Sequence, residues 1–220
     1  MTQLQPARRR RLVALLRKQP TYPERLGLDL TRPRDWFPWF VAASLFAKPI
    51  SAEVARRTAY LLFKEGVTTP EAIERCGWDG LVALLDLGGY VRYDFSTADK
   101  LLRIAAAFRG RRLETIGRSG GSADSVAEEL RKVKGVGPKT VQIFFRELRG
   151  AWDLPVLLSE EARKAAAKLG LRLRDLPSSG WDRARVESAL VGIYVEHCKR
   201  RAWRTCPAGE DCGCRPRESR

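Results

Sequence analysis

No segment of this 220-residue chain is long and apolar enough to cross a bilayer. Its first residues lack the apolar core of an export signal, so the expected setting is the cytoplasm, in association with the nucleoid. Alternation of apolar and polar residues, which would mark half-buried strands, is almost absent. No fixed repeat period points to a solenoid. Cysteine is scarce, and four of the five fall within the last twenty-three residues, a distribution unlike a disulfide framework in a chain expected to stay in a reducing compartment. Acidic residues are also in deficit, 26 Asp and Glu against 41 Lys and Arg, for a net charge of +15. A polyanion is the expected partner, bound through phosphate neutralisation and counterion release. A merely solubilising surface or an anionic lipid face are the alternatives. The positive charge is nevertheless spread along the chain. Its only run, Arg8, Arg9, Arg10 and Arg11, leads into Leu12, Val13, Leu15 and Leu16, the pattern of a helix with one apolar face.

Hydrophobic residues at 44% and charged residues at 30% describe a chain that folds. Its length suits one large domain or two small ones. Glycine and proline divide it into roughly nine or ten segments of helical length, so the fold is expected to be all-α. Residues 36–46 are almost wholly aromatic and aliphatic, and Ser51 is placed to cap the next helix, with Glu53 in its first turn. Thr69, Pro70 and Glu71 give a cap, a proline at the first helical position and an acid behind it, and Gly77 ends that helix. Leu81, Leu84, Leu85 and Leu87 form an apolar face that stops at Gly88 and Gly89, and Ser96 is expected to start the following helix. Cys76 reads as a buried structural cysteine. After a glycine- and serine-rich loop over 117–122, a helix over 124–132 precedes the turn described next, and a second helix from Pro138 directs Val141, Ile143, Phe144, Phe145 and Leu148 inward. Further helices are expected from Ser159-Glu160-Glu161 and over 183–198.

The turn is Val133, Lys134, Gly135, Val136, Gly137, Pro138, Lys139, Thr140. Glycines at Gly135 and Gly137 would let the main chain approach a phosphate, while the amides and dipole of the helix start at Pro138 favour negative charge. Such a turn grips a sugar-phosphate backbone without reading bases, and Lys134 and Lys139 add charge beside it. The plainer reading is that the glycines only end one helix and make room for the next.

These residues resemble the hairpin of the helix-hairpin-helix DNA glycosylase superfamily, the endonuclease III family in particular. Gly88-Gly89-Tyr90 resembles that family's Gly-Leu-Tyr turn, and residues 40–59 resemble its first barrel helices. The likeness covers about three quarters of the chain and is strongest over 36–150. It implies two helical lobes. Residues 36–150 would form a barrel carrying the hairpin at 133–140, and residues 1–35 with 151–220 a second lobe, with duplex DNA in the groove between them. The implied activity is base-excision repair by a monomeric DNA glycosylase and abasic-site lyase acting on damaged bases.

Several site residues follow from the resemblance. Lys139 falls on the lysine that attacks the deoxyribose C1′ and forms a Schiff base, chemistry that a helix start and desolvation would assist. A phosphate-contacting lysine is the alternative. The family's aspartate, which offsets positive charge on the sugar in the way carboxylates do in glycoside hydrolysis, has no counterpart. Counted without a gap it falls on Leu157, aligned on the helix start on Ser159, and aligned on Pro155-Val156 on Glu160, with Asp153 nearby. Glu160 and Glu161 also suit a helix dipole without any catalytic role. Without a substitute, lyase activity or DNA binding alone would remain. Lys48 or Tyr90 would fill the gap left by an extruded nucleotide, or stand as solvated loop residues.

Cys198, Cys206, Cys212 and Cys214 are separated by seven, five and one residues. Four soft ligands so close together suggest a metal centre. The family carries a 4Fe–4S cluster at this point in the chain, with different spacing; zinc, with His197 as a further ligand, and uncoordinated thiols are the alternatives.

Overall fold

The computed structural model describes residues 5–110, 113, 123–152 and 158–211. Among these, every regular element is helical, as the missing alternation predicts. Residues 23–145 form one compact unit and residues 1–22 with 146–220 another.

In the 23–145 unit, α2 (Trp36–Phe46) carries no charged residue, and nine of its eleven residues are buried. A helix apolar on all sides belongs inside, and α2 is the core of this unit. Phe40 meets Phe108 and Phe144 edge to face at 5.6 and 5.1 Å, and Trp39 Nε1 donates to Phe144 O at 3.2 Å. Around it, α3 (Ala52–Lys64) starts where Ser51 Oγ accepts from Val54 N at 3.1 Å. Helix α4 (Pro70–Leu87) starts where Thr69 Oγ1 accepts from Ala72 N at 3.2 Å. Gly77, at φ 69° and ψ 175°, breaks α4 where the sequence places a stop.

Two expectations need correction here. Leu87 is exposed, not part of the buried face formed by Leu81 and Leu85. Helix α5 (Asp94–Phe108) starts two residues before Ser96, whose hydroxyl donates to Tyr93 O instead of capping. Between these helices, Gly88 lies so tightly on α3 that a β-carbon would meet Thr58 Oγ1 at 2.2 Å. Its carbonyl accepts from Arg57 Nε at 2.8 Å. The turn to Tyr90 is thus possible only with glycine there. Cys76 is half-buried, less enclosed than expected, and burial pushes its thiol pKa up. The unit continues through α6 (Ala123–Arg131) into α7 (Pro138–Glu147).

The other unit is built from α1 (Pro6–Lys18), α8 (Glu160–Lys168) and α9 (Gly180–Gly192), the last passing into a π-helical turn (Ile193–Cys198). Leu12, Val13 and Leu16 form the buried face of α1. Helix α9 is enclosed and carries Arg183, Glu187 and Ser188 inward. Ser188 Oγ accepts from Tyr22 N at 3.3 Å. Arg146 and Glu147, at the end of α7, are buried as a pair at 2.8 Å, while Phe145, expected inside, is only half-buried. The polar pair goes in because Tyr22 receives the Arg146 guanidinium over its ring, 5.3 Å from the centroid.

Candidate functional site

The 133–140 turn is anchored by its apolar side chains and exposed along its backbone. Val133, Val136 and Thr140 are buried, whereas Lys134, Gly135, Pro138 and Lys139 face solvent. Val136 N donates to Val133 O at 2.9 Å, and Val141 N to Gly137 O at 3.3 Å. Among the described residues no acceptor engages the amides of Gly135 or Gly137. Gly135 has φ 98°, which a side chain would rarely adopt. A β-carbon at Gly137 would meet nothing within 4 Å. The turn therefore offers amides and positive charge to solvent on a fixed support, the layout of an anion site.

Directly beneath it lies a residue that the sequence reading passed over. The Lys100 side chain, 4% exposed, runs under Gly135, with its Cγ 3.0 Å and Cδ 3.2 Å from where a Gly135 β-carbon would stand. Its Nζ donates to Ser44 O at 2.6 Å, at the carbonyl end of α2. Burial, with Lys48 adding like charge, lowers its pKa to about 7. Lys48 itself is half-buried with its Nζ over the Tyr93 ring at 5.1 Å, and Arg92 lies over the same ring at 5.5 Å. Tyr90, considered above as a gap-filling or solvated side chain, is neither. It is 1% exposed, its hydroxyl donates to Leu45 O at 2.7 Å, and burial raises its pKa. Its role is to close the end of α2.

In the other unit, Ser159 occupies the N-cap of α8, yet its hydroxyl makes no capping bond and is buried without a partner among the described residues. Glu160 is exposed and pairs with Lys164 at 2.6 Å, which holds its carboxyl below the usual range. That is the arrangement of a solvated acid in the first turn of a helix. A different carboxylate serves the helix start. Glu187, 1% exposed, accepts from Ser159 N at 2.9 Å through one oxygen and from Arg149 Nε at 2.9 Å through the other. Glu147 lies nearby in the same buried network, its carboxyl raised above the ordinary range by desolvation, against the pull of Arg146. Leu157, Pro155, Val156 and Asp153 lie outside the described residues.

Cys198 ends the π-helical turn and Cys206 follows the short 3-10 turn Trp203–Thr205; both are buried. Cys212 and Cys214 lie outside the described residues. Among the described residues no group of three potential ligands is assembled. His197 Nδ1 is 3.3 Å from Thr205 Oγ1.

Both missed residues carry a readable signal. Thr97, Lys100, Leu101, Ile104 and Phe108 repeat at helical spacing, as do Arg183, Glu187 and Leu190, and all are buried. A charge in register with apolar neighbours is placed on the inner face by periodicity alone. No protein-family model matches the chain, and no curated protein matches it.

Proposed function

We propose that this chain binds duplex DNA through the 133–140 hairpin and acts in base-excision repair at damaged bases or abasic sites, as its resemblance to helix-hairpin-helix DNA glycosylases implies. The observation that carries this reading is the hairpin itself, with two glycine amides that meet no acceptor among the described residues and the exposed Lys134 and Lys139 on a buried footing of Val133, Val136 and Thr140. A backbone-directed grip of this kind suits an enzyme whose target base varies while its phosphates do not.

Lys139, on the exposed first turn of α7, is the proposed nucleophile. At an abasic site its amine would condense with the C1′ aldehyde and release water. Loss of a C2′ proton would then expel the 3′ phosphate. Because the side chain is exposed, the docked strand must supply the desolvation that the reaction needs. Base excision asks more, since a carboxylate must face the developing charge on the sugar.

A second reading, DNA binding with lyase chemistry or none, is favoured by one feature. At the α8 start, Ser159 and Glu187 are buried, Glu187 holds Arg149, and Glu160 is turned to solvent. The buried Cys198 and Cys206 suit a 4Fe–4S or zinc centre that Cys212 and Cys214 would complete, and such a centre would brace the unit that carries them.

Borohydride trapping on an abasic duplex tests the enzyme. A covalent adduct is expected with the natural chain and none with Lys139→Ala. Incision of a thymine-glycol duplex would then establish base excision. Binding without any adduct would leave DNA recognition standing and remove the lyase.

A further inference from the structure

A lysine with its whole stem enclosed lies directly under an exposed turn built for anions, and neither the hairpin reading nor the chemistry of Lys139 gives it work to do. Gly135 is the roof over it, 3.0 Å from its Cγ where a β-carbon would sit. Its Nζ rests on Ser44 O at 2.6 Å, at the negative end of the α2 dipole, where an ammonium is tolerated as well as an amine. We propose that Lys100 is the buried cation of the hairpin's anion site, a positioning residue that takes on a proton when a phosphate docks on the Gly135 and Gly137 amides. This inference rests on the DNA-binding reading.

The surroundings of Lys100 explain why docking would change its state. Helix α2 contributes no ionisable group, only carbonyls, and the neighbouring Leu45 O is already taken by Tyr90. The loop after α2 contributes Lys48, of like sign, and the turn before α5 contributes Tyr90 and Tyr93. The hairpin carries Lys134 and Lys139, with Lys132 just before it, and no acid. On α5 itself, Asp99 accepts from Trp78 Nε1 at 3.0 Å, while Asp94 and Asp86 act on each other. Among the described residues no carboxylate therefore acts on Lys100, and its pKa of about 7 reflects burial and Lys48. An arriving phosphate supplies the missing counter-charge through the thin glycine roof and raises that value again. The sign follows directly. Below about pH 7 the amine carries its proton in both states and affinity is flat. Above it, binding must draw a proton from solvent, so affinity falls as pH rises, by up to about tenfold per pH unit for one proton.

The experiment uses the full chain and a short undamaged DNA duplex in dilute salt. Titration calorimetry in HEPES and in Tris, buffers of different ionisation enthalpy, reads the protons taken up on binding near pH 8. Net uptake is expected for the natural chain. Lys100→Met is expected to bind with the uptake reduced by that one group and with a flatter pH profile. The Lys100 side-chain resonance, followed by NMR with and without duplex, should titrate at higher pH in the complex, a measurement that needs no variant. Binding without proton uptake, or a Lys100 midpoint unmoved by duplex, overturns the inference and leaves DNA binding intact. Absence of any binding overturns both.

Discussion

A β-carbon at Gly135 would crowd Cγ of Lys100 at 3.0 Å on a backbone already at φ 98°, whereas one at Gly137 would meet nothing within 4 Å. The first glycine is demanded by the fold and the second leaves an approach open. Substitution should separate the two. Gly135→Ala is expected to lower stability by about 1–3 kcal/mol through backbone strain and displacement of Lys100. Gly137→Ala is expected to leave the urea midpoint near that of the natural chain while weakening duplex binding, because a methyl group then stands where the strand would approach its amide. Equal stability of the two variants would mean that Gly135 is not held as described. Tyr90 makes the same point about single residues. Aromatic and next to two glycines, it invites a surface reading, yet the carbonyl end of α2, where Leu45 O accepts from its hydroxyl, draws it inside. No local pattern announces that demand.

Helix starts were the most legible elements, because capping is settled by residues three apart. Ser51 and Thr69 cap as their spacing predicts, and Gly77 breaks α4 because its φ of 69° lies outside any right-handed helix. The start of α8 was placed correctly, but not its chemistry. Ser159 reads as a side-chain cap, whereas the capping carboxylate comes from Glu187, twenty-eight residues further along the chain. Long-range partners of that kind leave only a periodic trace in the sequence, a glutamate in step with buried neighbours on α9. The same holds for the candidate site, where the hairpin and its lysines stand out as a motif and Lys100 leaves only its periodic spacing on α5. Because Glu187 holds both Ser159 N and Arg149, it ties α8 to α9, and Glu187→Ala would remove both interactions from a buried polar network. The expected cost is about 3–5 kcal/mol, read from urea unfolding. Glu187→Gln, which keeps an acceptor for Ser159 N, should fall between that variant and the natural chain. An unchanged midpoint for Glu187→Ala would show that the buried network does not secure α8.

The +15 charge invites the view that the whole surface attracts DNA, but its distribution argues otherwise. The arginine run of α1, the densest positive stretch in the sequence, is engaged within its own unit. Arg8 and Arg11 pair with Asp211 at 2.8 and 2.9 Å, and Arg9 pairs with Asp175 at 2.9 Å. Arg17 likewise holds Asp182 at 2.6 Å. Residues 132–140 contain three lysines and no acid, and Lys132 pairs with Glu129 on the helix before the turn. If recognition is local, salt dependence will reveal it, since each phosphate neutralised contributes about one unit to the slope of log affinity against log salt. Lys134→Ala should reduce that slope by about one unit and weaken binding equally for every sequence. Arg9→Ala, which releases Asp175 within α1's own unit, should leave the slope unchanged and alter stability by no more than about 1 kcal/mol. The reverse result, a slope that falls with Arg9 and not with Lys134, would move the DNA-binding face away from the hairpin and onto α1.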